Sequence, residues 1–114
     1  MDTTASDIEI NHELHRLLVG TPLTHPDATE YEVCGCTLIY YDNMRVIHSL
    51  HKDYIDGNTM AELMSDYGIG VVPTGDTWTA SVTRGSGNKS VVLTSYDSDN
   101  VRAVLLVLIA FLKF

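Results

Sequence analysis

The sequence has few cysteines, no long apolar run and no basic leader, and each shortage excludes a class of protein. Its two cysteines, Cys34 and Cys36, are one residue apart, a spacing that strains a disulfide and argues against a disulfide-framed secreted fold. The apolar run at residues 103–112 is about half the ~20 residues of a bilayer span, so we expect a buried helix and no membrane partner. Residues 1–11 lack the basic and apolar segments of a secretory signal, which favours a cytoplasmic location.

Basic side chains are also scarce, since 7 of them face 15 acidic ones and the formal charge is −8. The acids are scattered from Asp2 to Asp99 without a run, which predicts a broadly negative surface and not an acidic tail. A negative field repels phosphates, so direct binding to nucleic acid is disfavoured and a basic protein partner is favoured. Adaptation to high salt is an alternative source of such acidity.

The chain length and a hydrophobic fraction of 45% predict a single globular α+β domain over the whole sequence, with residues 1–6 loose. Apolar residues at helical spacing begin after Ser6 or Asp7, either of which can cap a first helix, and stop at Gly20. The two prolines that follow place residues 21–27 in a loop.

A β-hairpin is predicted next, because residues 31–41 and 44–54 are rich in strand-forming side chains. Its two-residue turn falls at Asp42-Asn43. A short helix capped by Asn58 or Thr59 then leads into the second half of the chain.

The second half predicts a three-stranded antiparallel meander and a final helix. Residues 77–84 alternate cleanly, with Trp78, Ala80 and Val82 on one face, as in a half-buried strand. The last helix, residues 100–113, is apolar nearly all round. It must therefore be covered by the sheet on one side and by another helix or a second subunit on the other, which leaves a homodimer open.

Histidines and cysteines in two places raise the question of a metal. His12 and His15 are three apart and lack the four-residue spacing of the zinc-protease helix, so we interpret them as exposed polar residues. In the predicted register Cys34 faces His51 and Cys36 shares their sheet face, a donor set that suits zinc. The cysteine spacing is too short for common zinc sites, and we predict small apolar residues, no metal and no cofactor.

No carboxylate pair and no glycine-rich loop has a catalytic or phosphate-binding spacing, so the sequence predicts a protein that is not an enzyme. Tyrosine is frequent in interface hot spots, and tyrosines beside aspartates suit a basic partner. The predicted partner-binding residues, with the tyrosines exposed, are Tyr40, Tyr41, Asp42, Asp53, Tyr54 and Asp56. Reversing the three aspartates to lysine is expected to weaken binding and to leave thermal stability nearly unchanged.

The order helix, three strands, helix in the second half is the topology of the double-stranded-RNA-binding domain. In that family, lysines at the start of the last helix grip the RNA. This sequence has Asp97, Ser98 and Asp99 at those positions, so RNA binding does not follow from the resemblance.

Three segments of the second half together resemble the phage α-β-α sandwich proteins, a family of small phage and prophage products: residues 53–64, 78–82 and 101–106. The resemblance covers roughly the last 60 residues and implies a mobile-element origin and no known enzyme activity. By analogy with small acidic anti-CRISPR proteins, we expect an inhibitor of a host nucleic-acid-handling defence complex, such as a CRISPR effector, in the host cytoplasm. The alternatives are a structural or homo-oligomeric phage protein and a small metal-dependent hydrolase.

Overall fold

The computed structural model describes residues 5–18 and 27–114, which divide into two compact units. The first unit lies within residues 6–54, and the second comprises Ala5 and residues 55–114. Each unit has a helix followed by a three-stranded antiparallel sheet, and the second adds a final helix. The predicted α+β class with antiparallel sheets is confirmed, while the single domain stays a prediction.

The first unit begins with helix α1 (Asp7–Leu18), which starts in a capping box. The Glu9 N–H donates to the Ser6 hydroxyl over 3.2 Å, and the Ser6 N–H donates to Glu9 Oε1 over 3.5 Å. The reciprocal bonds satisfy donors that a helix start otherwise leaves open, so Ser6 is the cap. The predicted stop at Gly20 and most of the predicted loop over residues 21–27 lie outside the described residues.

Three strands follow α1: β1 (Glu30–Cys34), β2 (Thr37–Asp42) and β3 (Arg45–His51), paired in that order. The predicted long strand over residues 31–41 is wrong, because the chain reverses at Gly35-Cys36. Gly35 has φ +59° there, a backbone conformation that glycine adopts without the steric penalty of a side chain. The predicted hairpin is therefore a three-stranded meander.

The turn between β2 and β3 lies one residue further along than predicted, at Asn43-Met44, and Asp42 pairs with Arg45. Both turn residues have positive φ, 50° for Asn43 and 67° for Met44, as two-residue hairpin turns require. A bulge between Tyr40 and Tyr41 shifts the register again. The moved turn shifts each partner by two residues, so that Tyr41 pairs with Val46, and the bulge adds one more. The predicted cross-strand partners are therefore wrong.

The core of the first unit combines the inner face of α1 with alternating residues of β2. Ile10 and Leu14 are fully buried on the helix, and Leu38 is fully buried on the strand. Their burial removes apolar surface from water, which is the main stabilising contribution to a packed helix and sheet.

The second unit starts with helix α2 (Gly57–Tyr67). Asp56, and not the predicted Asn58 or Thr59, is the N-cap, because its carboxylate accepts from the Thr59 N–H over 3.1 Å. The helix ends at Gly68, which has φ 70° and adopts the left-handed conformation common at helix ends.

The second sheet consists of β4 (Gly70–Thr74), β5 (Thr77–Arg84) and β6 (Val91–Asp97), in that order. Ala80 and Val82 of the central strand are buried, as the alternating pattern predicts.

Helix α3 (Asn100–Lys113) packs on this sheet and on α2. Asp99 caps it by accepting from the Val101 N–H over 2.8 Å. Every residue from 103 to 109 is buried within a single chain, so the helix requires no second subunit to cover it. Within the described part of the chain, no helix has the length and hydropathy to cross a bilayer.

Candidate functional site

A surface pocket of about 370 Å³ lies on the first unit. Two acidic side chains, two tyrosines and one methionine line it: Glu30, Tyr31, Glu32, Tyr41 and Met44. These residues come from β1, the end of β2 and the turn that follows β2. The pocket is therefore built by one sheet and one hairpin turn.

The strand alternation explains why two carboxylates meet at this pocket. Glu30 and Glu32 are two apart on β1 and so share one face of the sheet, and Glu30 pairs with Tyr41 on β2. The Tyr41 hydroxyl donates to Glu32 Oε2 over 2.9 Å. This hydrogen bond, followed by burial and by the negative charges of Glu32 and Glu30, raises the pKa of Tyr41. Tyr41 therefore keeps its proton at neutral pH and holds the Glu32 carboxylate in place.

Met44 lines part of the pocket, and its backbone has an unfavourable conformation. Its φ is 67° and its side chain is 89% exposed. A side chain in the left-handed region is disfavoured, and glycine is the usual residue at this turn position. The sequence thus places a flexible, polarisable side chain beside the two carboxylates at a position where glycine would be less strained.

The electrostatics of the pocket favour a cation. Among the residues that the structure describes, neither Glu30 nor Glu32 forms an ion pair. Several basic side chains elsewhere are occupied: Arg16 contacts Glu13, Arg102 contacts Asp97, and Arg84 donates to the Phe111 carbonyl. The two pocket carboxylates are therefore open to a positively charged group from outside.

Two of the tyrosines predicted as exposed contact residues are buried, so that part of the prediction is wrong. Tyr40 is 4% exposed and stacks on His48 with 6.0 Å between ring centroids. It follows Leu38 by two residues and therefore shares the inward face of β2. Tyr54 is 3% exposed, and its ring forms a T-shaped contact with that of His15, with 5.0 Å between the ring centroids. Burial raises the pKa of Tyr54.

The predicted aspartates differ in what they do. Asp53 Oδ1 accepts from Asn11 Nδ2 over 3.0 Å, and Asp56 caps α2. Both side chains are exposed, yet Asp53 bonds Asn11 of α1 and Asp56 caps α2. Reversal of these two charges is therefore expected to cost some stability, and the small effect predicted from the sequence stays untested. Asp42 lies at the end of β2, next to Tyr41. Of the six predicted residues, Tyr41 alone lines the pocket.

Sequence reasoning missed the acidic side of the pocket, although a local pattern marks it. Glu30, Tyr31 and Glu32 alternate as acid, aromatic, acid on a strand, which puts both acids on one face. The predicted strand began at Tyr31 and continued through Gly35, so Glu30 was left out and the acidic face of β1 was not recognised.

Two polar side chains of α1 anchor the helix to the chain around the first sheet. His15 Nε2 lies 2.9 Å from the Cys36 carbonyl and 3.1 Å from the Lys52 carbonyl. Carbonyls only accept, so Nε2 carries the proton, while the buried Nδ1 has no hydrogen-bond partner. Asn11 accepts from the Tyr54 N–H. His15 is fully buried, so its interpretation as an exposed residue beside His12 is wrong.

The cysteines and His51 are not arranged as predicted. Cys34 pairs with Thr37, which in turn pairs with His51, and Cys36 lies in the turn. Burial and the charge of Asp53 raise the pKa of Cys36, which lowers the fraction of reactive thiolate. Among the described residues, no three His, Cys, Asp or Glu side chains are grouped as metal ligands.

Comparison of the chain with profiles of known protein families and with curated protein sequences finds no match.

Proposed function

We propose that this chain is a non-catalytic binding protein that docks on the basic surface of another protein. The observation that carries the proposal is the surface pocket of about 370 Å³ with two carboxylates, Glu30 and Glu32, on its wall. The overall charge of −8 adds long-range attraction for a basic partner. Such attraction raises association rates and selects partners more than it raises affinity.

The partner class that we propose is a host protein that handles nucleic acid, such as a CRISPR effector. Proteins of this kind hold nucleic acid in basic channels, and an acidic protein seated there would compete with the phosphates. The resemblance of the second half to small phage proteins supports an inhibitor made by a phage or prophage. Its place of action would be the host cytoplasm.

A salt-graded capture experiment tests the binding function. The tagged protein is incubated with bacterial lysate at about 0.05 M and about 0.5 M salt, and retained proteins are identified by mass spectrometry. Binding to a basic groove weakens as salt screens the charges. We expect a basic nucleic-acid-handling protein to be retained at low salt and largely lost at high salt.

Two double variants with the same change in net charge distinguish the effect of the pocket on binding from the effect of the overall charge. Glu30→Lys with Glu32→Lys alters the pocket, whereas Glu62→Lys with Asp66→Lys alters exposed positions on α2. We expect the pocket variant to lose the partner and the α2 variant to retain most of it. Equal loss from both variants, or retention that salt does not change, would contradict docking through this pocket.

A further inference from the structure

The pocket on the first sheet has a composition that selects among cationic groups. Carboxylates supply charge, and aromatic rings supply flat surfaces that attract a cation through their negative faces. The pocket combines both kinds of side chain, because Tyr41 pairs with Glu30 across the sheet and shares the face of Glu30 and Glu32. An apolar groove without charge, or acids without a cavity, would not provide this combination.

We infer that the pocket binds the guanidinium group of an arginine side chain presented by the partner. This inference rests on the proposed function, because it names the group that the basic partner inserts. A guanidinium is planar, offers several N–H donors in a fixed fork and stacks on aromatic rings. A lysine ammonium is a compact and strongly hydrated charge that uses flat walls less well.

The hydrogen bonds already made in the pocket leave acceptors for such a fork. Tyr41 uses one oxygen of Glu32, Oε2. Within the described part of the chain, the carboxylates of Glu30 and Glu32 form no other hydrogen bond and no ion pair. Charge-assisted bonds from a guanidinium to these free oxygens are stronger than bonds between neutral groups. An incoming arginine also relieves the repulsion between two acids on one face of β1.

Met44 favours a ligand side chain that has an apolar stem. It lies on the pocket lining and is almost fully exposed. An arginine carries three methylene groups between its backbone and its charged head, and such stems lie along apolar surface while the head reaches polar groups. Met44 is flexible enough to cover the stem once the guanidinium is seated.

Amide NMR titrations of the full chain with three small probes test the inference. The probes are N-acetyl-arginine amide, N-acetyl-lysine amide and N-acetyl-citrulline amide, the last being a neutral analogue of arginine. We expect arginine to shift the amides of residues 30–32 and 41–44 with saturation on the order of millimolar. Lysine should bind several-fold more weakly, and citrulline should cause no saturating shift.

Matched single variants place the effect at the carboxylates. Glu30→Gln keeps the side-chain size and removes one charge, and we expect it to weaken arginine binding about tenfold, or about 1.4 kcal/mol. Glu62→Gln, the same change on α2, should leave binding unchanged. Equal binding of arginine and citrulline, equal binding of arginine and lysine, or equal effects of the two variants would overturn the inference.

The two proposals fail in different ways. If the pocket binds arginine but no basic protein is retained from lysate, the pocket assignment stands and the proposed function is lost. If a basic partner is retained and the Glu30→Lys with Glu32→Lys variant holds it equally well, the function stands and the arginine pocket is lost.

Discussion

The two units share the order of one helix and a three-stranded meander, but they differ in how many buried polar groups their helices contain. In the second unit the final helix α3 has seven consecutive buried apolar residues, 103–109, which cover one face of the sheet. In the first unit α1 buries Asn11 and His15 beside Ile10 and Leu14. Apolar burial thus contributes to both units, and the first depends in addition on hydrogen bonds that fix its helix to particular backbone groups.

Backbone strain and charge are also divided unevenly. Among the described residues, the positive-φ positions of the second unit are all glycines, whereas the first unit has Asn43 and Met44 there. The first unit also has more than half of the 15 acidic side chains and fewer than half of the 7 basic ones. Natural sequences depart from local preference mainly where function requires it, so the first unit is where we expect the binding role.

The largest expected effect is in the apolar unit. Leu108→Ala removes a fully buried side chain of α3, and the lost contacts and residual cavity should cost about 2–5 kcal/mol. Urea denaturation followed by circular dichroism measures the loss.

Leu112→Ala, near the helix end where the side chain is partly exposed, provides the control and should cost less. Hydrogen exchange then localises the change. We expect amides of residues 57–113 to lose more protection than those of residues 7–18. An equal loss in both stretches would show that the two units unfold together and would break the comparison.

The second effect is in the polar unit. His15→Phe keeps a ring of similar width but removes the donor to the Cys36 and Lys52 carbonyls. The Lys52 carbonyl then lacks the hydrogen bond that His15 donates to it, so we expect the free energy of unfolding to fall by about 1–3 kcal/mol. His15→Gln restores an N–H donor and should recover part of the stability. If His15→Phe is as stable as the unchanged chain, hydrogen bonding does not hold α1 and the contrast between the units fails.

Helix caps should give a third and smaller effect, of similar size in both units. Asp99→Ala in the second unit removes one of the two side-chain acceptors of the Val101 N–H, the other being Asn100 Oδ1. Ser6→Ala in the first unit removes the acceptor of the Glu9 N–H. Each should cost about 1 kcal/mol, measured by the same urea transitions. Replacement by Asn at either position retains an acceptor and serves as the control. If the two Ala variants differ by several kcal/mol in free energy of unfolding, contacts other than the cap stabilise one of the helix starts.

The sequence predicted best where short-range patterns decide the structure. The strand with Ala80 and Val82 and the buried helix over residues 100–113 are present as expected, since alternation and apolar continuity are local properties. Register and burial were harder, because they depend on partners distant in the chain. The turn at Gly35 split a long apolar-aromatic stretch, and the turn at Asn43-Met44 displaced the cross-strand pairing by two residues. With the register shifted, Tyr40 was assigned to the surface and Glu30 was not assigned at all.

The burial of His15 could not be read from its neighbours in sequence. A histidine on an amphipathic helix is usually half exposed, and its carbonyl partners, on Cys36 and Lys52, lie 21 and 37 residues away. These long-range hydrogen bonds offset the cost of burying its donor. For the same reason Asp53 and Asp56 were interpreted as free surface charges although both have structural roles.

The smallest expected effect has the opposite sign and bears most directly on where function lies. Met44→Gly should stabilise the chain by about 0.5 kcal/mol, because relief of the left-handed strain exceeds the added backbone freedom of the unfolded glycine. The same change removes an almost fully exposed part of the pocket lining, so binding of N-acetyl-arginine amide should weaken at the same time. Gly75→Ala, at a positive-φ turn of the second unit, is the converse control and should destabilise the chain without altering binding. A Met44→Gly protein that is both more stable and equally able to bind would leave the methionine without a role in the pocket, and the strain at this turn would then have no functional account.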